Sequence, residues 1–257
     1  MNSVAMTFER EAVREQPFPH VLADHWLEPE LYEALRASFP ECPPATGPTG
    51  FTLFWGDPAY DRLIAENAAW KSFFDRFHSQ AFVDYALATF AETVQGEARH
   101  DLRRARYVSY RESRADKERE RLGPTGLAPD ELWVRADIMQ GRLGYDRGPH
   151  LDHRRRALSM LLYFCDADEA GLDGGDLVLH GADGETVAIR PRHNRMVMFP
   201  CAAASLHSVT PIRSQQAPRN FVQVILSSSV ELWDGRTPRP PLWRRALGRA
   251  RRLAAAG

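Results

Sequence analysis

The order of apolar and polar positions changes character near residue 100 of the 257-residue chain. Before that point apolar residues recur at three- and four-residue steps, the period of an amphipathic helix. Glu28-Pro29-Glu30 opens one helix through LYEALRASF. Its proline falls in the first turn, where a missing N–H costs nothing, and its acids lie beside the positive end of the helix dipole. Leu63 to Val94 is helix-rich, and Phe73, Phe77, Phe82, Tyr85, Ala86 and Phe90 form a stripe that reads as core packing. PFPHVLAD reads as a strand before the first helix. Pro40, Pro43, Pro44 and Pro48 with Gly47 and Gly50 read as a loop after it.

From Arg106 the period falls to two. ARYVSY, LWVRADIM, ALSMLLYF, GDLVLH, ETVAIR, RMVMFP, LHSVTPI and RNFVQVILSS are separated by turn signals such as DGG, ADG and PRHN. Short β-branched and aromatic runs of this kind predict an antiparallel sandwich or barrel. RESRADKERERLGPTG, between the first two runs, reads as an exposed charged loop. The expected fold class is mainly β with a helical flank (α+β). We divide the chain into a helix-rich support region (1–100), a β-rich core (101–235) and a basic tail (236–257), with a single catalytic domain overall. In the tail Trp243, Leu247, Ala250 and Ala254 recur at helical spacing among arginines, and no acid follows Asp234. Such a helix suits weak contact with an anionic membrane surface, or docking on its own core.

Composition narrows the field. Lys and Arg number 33 against 34 Asp and Glu, so there is no basic excess of the kind that marks a nucleic-acid binder. No run approaches the length of an apolar membrane span. Glu9, Arg10 and Glu11 stand where a signal peptide needs apolar residues. Cys42, Cys165 and Cys201 are too few and too scattered for a disulfide framework or a CxxC zinc site. The expected location is the cytoplasm, peripheral to a membrane if the tail engages lipid.

His150, Leu151 and Asp152 follow Gly148-Pro149. On an extended segment residues i and i+2 share a face, so an imidazole and a carboxylate converge. His207, in SLHSVTPI, can supply a third ligand. Two histidines and one carboxylate with open positions are the donor set of non-heme Fe(II) oxygenases, whereas zinc favours a closed tetrahedral shell. Arg219 begins RNFVQVILSS twelve residues after His207, and its guanidinium can grip a carboxylate bidentately from inside the barrel. Arg213 is the less favoured substitute, because Pro211 precedes it and the RNFVQV strand lies beyond. His153 points away from the site, His180 and His193 fall at turns and face solvent, and Gln223 shares the face of Arg219. The Arg154-Arg155-Arg156 run reads as a solvated loop, with contact to an anionic substrate as the alternative.

The order of His-x-Asp, strand, GGDL strand, His and Arg strand resembles the Fe(II)/2-oxoglutarate-dependent dioxygenase superfamily, in particular its prolyl-hydroxylase-like branch. The resemblance runs from about Asp137 to Ser228 and includes Gln140, Tyr145, Tyr163, Gly174-Gly175-Asp176 and RMVMFP. PFPHVLADHWLEPELYEAL is similar to the N-terminal segment of bacterial members. The resemblance implies a double-stranded β-helix (jelly-roll, cupin-like) core supported by N-terminal helices. It implies His150, Asp152 and His207 as iron ligands, Arg219 on the C5 carboxylate of 2-oxoglutarate, and Tyr163 at the same end. Related sequences often place the basic residue closer to the second histidine than here. The implied reaction consumes O2, releases succinate and CO2, and hydroxylates a small-molecule, sugar or amino-acid/peptidyl substrate, with ascorbate as an accessory reductant. Halogenating relatives lack the carboxylate, so Asp152 speaks against halogenation. Two other readings stay open: a cupin-like metal enzyme that does not use 2-oxoglutarate, and a non-catalytic β-sandwich binding module.

Overall fold

The structure, a computed structural model, describes residues 8, 11–44, 50–112 and 125–234. Among these, five helices form the flank. α1 (Pro29–Ala37) and α2 (Pro58–Glu66) start on proline. α3 (Ala68–Phe77) starts on Asn67, whose side chain accepts the Ala69 and Trp70 N–H groups, and α4 (Gln80–Thr89) on Ser79, whose hydroxyl accepts from Phe82. These caps satisfy donors that the first turn leaves free. α5 (Ala91–Glu97) completes the set. The stripe expected from the sequence is core: Trp70, Phe73, Phe77 and Phe82 are buried. Burying each such side chain stabilises the fold by about 1.5–3 kcal/mol.

Among the described residues there are eleven strands: β1 (Val21–Ala23), β2 (Phe51–Leu53), β3 (Arg106–Tyr107), β4 (Glu131–Gly141), β5 (Arg147–His150), β6 (Arg156–Tyr163), β7 (Leu177–His180), β8 (Thr186–Ile189), β9 (Met196–Pro200), β10 (His207–Val209) and β11 (Arg219–Ser227). Nine lie on the expected runs, PFPHVLAD included, and two, β2 and β5, lie outside them. The large sheet runs β1-β9-β6-β11-β4-β2 with β3 parallel to β4, and the small sheet runs β5-β10-β7-β8. The core is thus jelly-roll-like, with helices behind it. ARYVSY shortens to the two residues of β3, because only Arg106 and Tyr107 find a register, opposite Glu131 and Leu132.

The central strands are apolar on one face and mixed on the other. Leu132, Val134, Ala136 and Ile138 of β4 and Val222, Val224 and Leu226 of β11 join the helices in one core. The opposite face looks toward the small sheet and is ordered in cross-strand rows: Arg135, Ile225, Ser159 and Phe199; then Asp137, Gln223, Leu161 and Val197; then Met139, Phe221 and Tyr163; then Gly141 and Arg219.

Three sequence expectations need correction or limit. Glu112, in the stretch read as an exposed loop, is buried because Arg135 holds it, and residues 113–124 of that stretch lie outside the described residues. His180 ends β7 half-buried, within 2.7 Å of the Ser208 hydroxyl, and His193 sits half-buried between the Tyr32 hydroxyl (2.7 Å) and Glu169 (3.0 Å), so neither simply faces solvent. The tail 236–257 also lies outside the described residues. No described helix is long and apolar enough to cross a membrane.

His78 caps α3, with its ring 4.9 Å from that of Trp55 and its Nε2 buried without a partner. Burial pushes its pKa from the ordinary 6.5 down to about 4. The folded chain therefore refuses a proton that the unfolded chain accepts. This contribution to stability is intact above pH 6.5 and is lost as pH falls toward 4, by about 3 kcal/mol at most. Urea unfolding across that interval should show a smaller acid loss in His78→Phe than in wild type; parallel losses would refute the assignment.

Candidate functional site

The site lies where the small sheet closes over the mixed face of the large one. His150 ends β5 and His207 begins β10, and antiparallel pairing sets them opposite one another with ring centroids 4.3 Å apart. Asp152 stands two residues beyond β5, in the connection to β6 and no longer in a strand. The convergence expected of an extended i, i+2 pair is therefore achieved by a strand end and the connection that follows. One ligand atom from each of the three residues lies within 4.8 Å of the others.

The surroundings fix how each group presents itself. His150 Nδ1 lies 2.8 Å from the Gly148 carbonyl, and His207 Nδ1 lies 2.9 Å from that of Ser205. An N–H donated there leaves Nε2 as the lone-pair nitrogen of each ring. The Phe199 ring packs 4.8 Å from His207. Asp152 accepts from Arg156 Nη1 at 2.6 Å on one oxygen, and the other faces the Cys201 thiol at 3.7 Å.

Burial works to raise the pKa of Asp152, but the Arg156 charge, followed by His207, His150 and Arg147, holds it below the usual carboxylate range. Burial, then the charges at His207 and Arg147, pushes His150 down to about 4. At neutral pH His150 is thus a neutral imidazole and Asp152 a carboxylate, the protonation states that a divalent metal requires. Arg147 Nη2 comes within 3.3 Å of His150 Nε2, so that guanidinium must swing aside for an ion to enter.

Farther along the mixed face stands Arg219, fully buried. Its Nε donates to the Gly175 carbonyl at 2.7 Å and its Nη2 to the Tyr163 hydroxyl at 3.0 Å, while Nη1 has no partner. Phe221, Tyr163 and Tyr145 surround the guanidinium, with ring centroids 4.5, 5.0 and 5.9 Å away. Burial pushes the pKa of Tyr163 up against the opposing pull of Arg219, so the phenol stays protonated. The hydrogen-bond partners of Arg219 are neutral, and a free N–H on a buried cation fits the carboxylate of a small diacid. The donor types of the triad suit a metal and those of this arginine a small diacid.

The structure thus brings His150, Asp152 and His207 together at the small sheet and puts Arg219 with Tyr163 on the inner face of the large sheet. Arg213 is exposed and paired with Asp173 at 3.4 Å, away from both. Gln223 shares the face of Arg219 and donates to Ser159 Oγ at 3.1 Å. His153 accepts the Arg155 N–H at 3.2 Å. The arginine run is not a solvated loop: Arg154 is half-buried and pairs with Glu231 at 2.9 Å, Arg155 is buried near Glu112, and Arg156 holds Asp152. Sequence reading also missed Arg135, Asp137 and Arg147. A signal existed for the first two, since they alternate with Val134, Ala136 and Ile138 and so fall on the other face of a predicted strand.

Residues 137–226 match the family model of the 2OG-Fe(II) oxygenase superfamily. Among solved structures, a prolyl 4-hydroxylase from Phytophthora capsici is 18% identical with a TM-score of 0.52, over 82% of this chain and 59% of that one. The chain therefore spans less than two thirds of that relative's length. A prolyl-4-hydroxylase from Pseudomonas putida is 17% identical with a TM-score of 0.44, over 81% of this chain and 92% of that one. An oxidoreductase of the 2OG-Fe(II) oxygenase family from Burkholderia pseudomallei is 16% identical with a TM-score of 0.45, over 81% and 84%. No curated protein matches the chain. The likeness to the Phytophthora structure is one of fold.

Gly174 tests how tightly the arginine end is built. Its φ is +90°, and a Cβ there would stand 1.9 Å from the Pro211 carbonyl oxygen. Gly174→Ala should cost about 3 kcal/mol or more in chemical unfolding. Wild-type stability in that variant would contradict the packing of the GGD segment against the β10–β11 connection.

Proposed function

We propose that this chain, whose residues 137–226 match the family model of the 2OG-Fe(II) oxygenase superfamily, is an Fe(II)- and 2-oxoglutarate-dependent dioxygenase of the hydroxylase type. The observation that carries the reading is the combination of the His150, Asp152 and His207 cluster at the small sheet with a buried arginine on the inner face of the large sheet that keeps a free N–H. His150, Asp152 and His207 would hold the iron. Arg219 and Tyr163 would hold the distal carboxylate of 2-oxoglutarate. When bound, the iron and 2-oxoglutarate supply the oxidation, with O2 consumed, succinate and CO2 released, and a hydroxyl delivered to the substrate.

The chain's own part is to orient and to exclude water. The carbonyls of Gly148 and Ser205 fix the tautomer and direction of the two imidazoles. Arg156 binds one oxygen of Asp152 and the Cys201 thiol faces the other, which fixes the direction of the carboxylate. The aromatic cage of Phe221, Tyr163 and Tyr145 keeps the Arg219 guanidinium dry, where its grip on a carboxylate is strongest. The substrate is a small molecule, a sugar or an amino-acid or peptidyl group.

Anaerobic addition of Fe(II) and 2-oxoglutarate should give the weak visible charge-transfer band of the chelate, and His207→Ala should abolish it. Absence of the band in wild type, or its survival in His207→Ala, would overturn the reading. In a succinate-release assay Arg219→Met should raise the KM for 2-oxoglutarate about ten- to a hundredfold, the loss expected for one hydrogen bond between charged groups. An unchanged KM would instead favour chemistry that does not use the diacid.

A further inference from the structure

The inner face of the large sheet is aromatic around Arg219 and ionic at its other end. In the row Arg135, Ile225, Ser159 and Phe199, the phenylalanine ring rests 4.8 Å from the His207 imidazole, and Arg135 stands in the same row three strands away on β4. Arg135 is 2% exposed, and Asp137, next on the same face, is 0% exposed. Arg135 Nη1 donates to Glu112 at 3.1 Å, and its Nε lies 3.2 Å from the Asp137 carboxylate without hydrogen-bond alignment. Arg155 approaches the other oxygen of Glu112 at 3.8 Å. Arg156, bound to Asp152, also feels the charges of Glu112 and Asp137, so the ionic cluster runs up to the triad. A buried network of this kind gains little over well-packed apolar side chains, because desolvating the ions costs about what their attraction returns. Stability alone gives no reason to keep it beside a reactive centre.

The polar atoms left over in this cluster share one character. Arg135 Nε and Nη2, and Trp133 Nε1 two residues earlier on the same face, are buried without a hydrogen-bond partner, and all three are N–H donors. The carboxylates are partnered: Glu112 with Arg135 and Arg155, and Asp137 with the Trp55 N–H at 3.2 Å. Arg135, Arg155 and Arg156 balance Glu112, Asp137 and Asp152 in charge, so what is left over is N–H donors, and these recognise a group made only of acceptors. Arg219 shows the same pattern, but its partners (Gly175 and Tyr163) are none of these, and it stands at the far end of the face.

We propose that Arg135 and Trp133 bind an oxyanion of the primary substrate, a carboxylate or a phosphate, so that this oxygenase acts on an acid. The inference rests on the oxygenase reading above and specifies its substrate class.

The test uses the full chain loaded anaerobically with Mn(II) and 2-oxoglutarate, so that Arg219 is already occupied. Inorganic phosphate and acetate are then titrated separately by calorimetry. Saturable binding of either is expected, phosphate marking a phosphorylated substrate and acetate a carboxylic acid. Arg135→Met should weaken that binding about tenfold or more, as for the loss of a hydrogen bond to a charged group. Trp133→Phe removes one N–H, leaves every charge in place and should weaken binding severalfold. It decides the matter if Arg135→Met, which strands Glu112 and Asp137, does not fold. Wild type that takes up Mn(II) and 2-oxoglutarate but neither anion overturns this inference alone, as does wild-type anion affinity in the variants. Wild type that takes up neither Mn(II) nor 2-oxoglutarate overturns the oxygenase reading beneath it.

Discussion

A central β-sheet buried on both faces is the constraint from which the site follows. On one side β4, β6 and β11 meet the helices through valine, leucine and isoleucine, and that contact accounts for much of the core. On the other side the small sheet covers a face that need not be uniformly apolar, because its inner volume can be shared with bound molecules. Charged residues can persist there only where each finds a partner or awaits one. Asp152 finds Arg156, Arg135 finds Glu112 and Asp137, and Arg219 has only neutral neighbours and a free nitrogen. The distribution of satisfied and unsatisfied charge therefore describes the chemistry more closely than the fold does.

The Asp152–Arg156 pair deserves separate weight. A buried carboxylate would ordinarily protonate, and a protonated acid is a poor metal ligand. The guanidinium reverses this by supplying a positive charge at 2.6 Å inside the protein, where water screens it least. It also occupies one of the two oxygens. The candidate ligand triad is thus supported by residues outside the pattern His150, Asp152 and His207: Arg156, the Gly148 and Ser205 carbonyls, and the Phe199 ring.

Much of the architecture was legible from periodicity. The helical stripe from Phe73 to Phe90, proline at the start of α1 and the alternating runs from Arg106 onward all appear in the structure, because each is set by local backbone preference and by which face must be buried. The His150, Asp152 and His207 set and Arg219 were legible as a spaced pattern of donor types. What failed was the reading of isolated charges: Glu112, Arg155 and Arg156 looked like solvated loop residues, since a charged run carries no mark of the partners waiting for it across the sheet.

The sequence by itself determined the elements, the division into a helical flank and a β-rich core, and the residue types able to hold a metal and grip a diacid. Those properties depend on spacing along one chain. Only the tertiary structure decided that Arg219 and not Arg213 points inward, that Asp152 is held by Arg156, and that Arg135, in the row of Phe199, and Trp133, one row away, keep N–H groups without hydrogen-bond partners. Those properties depend on register between strands far apart in sequence, where a shift of one residue would turn every side chain to the opposite face.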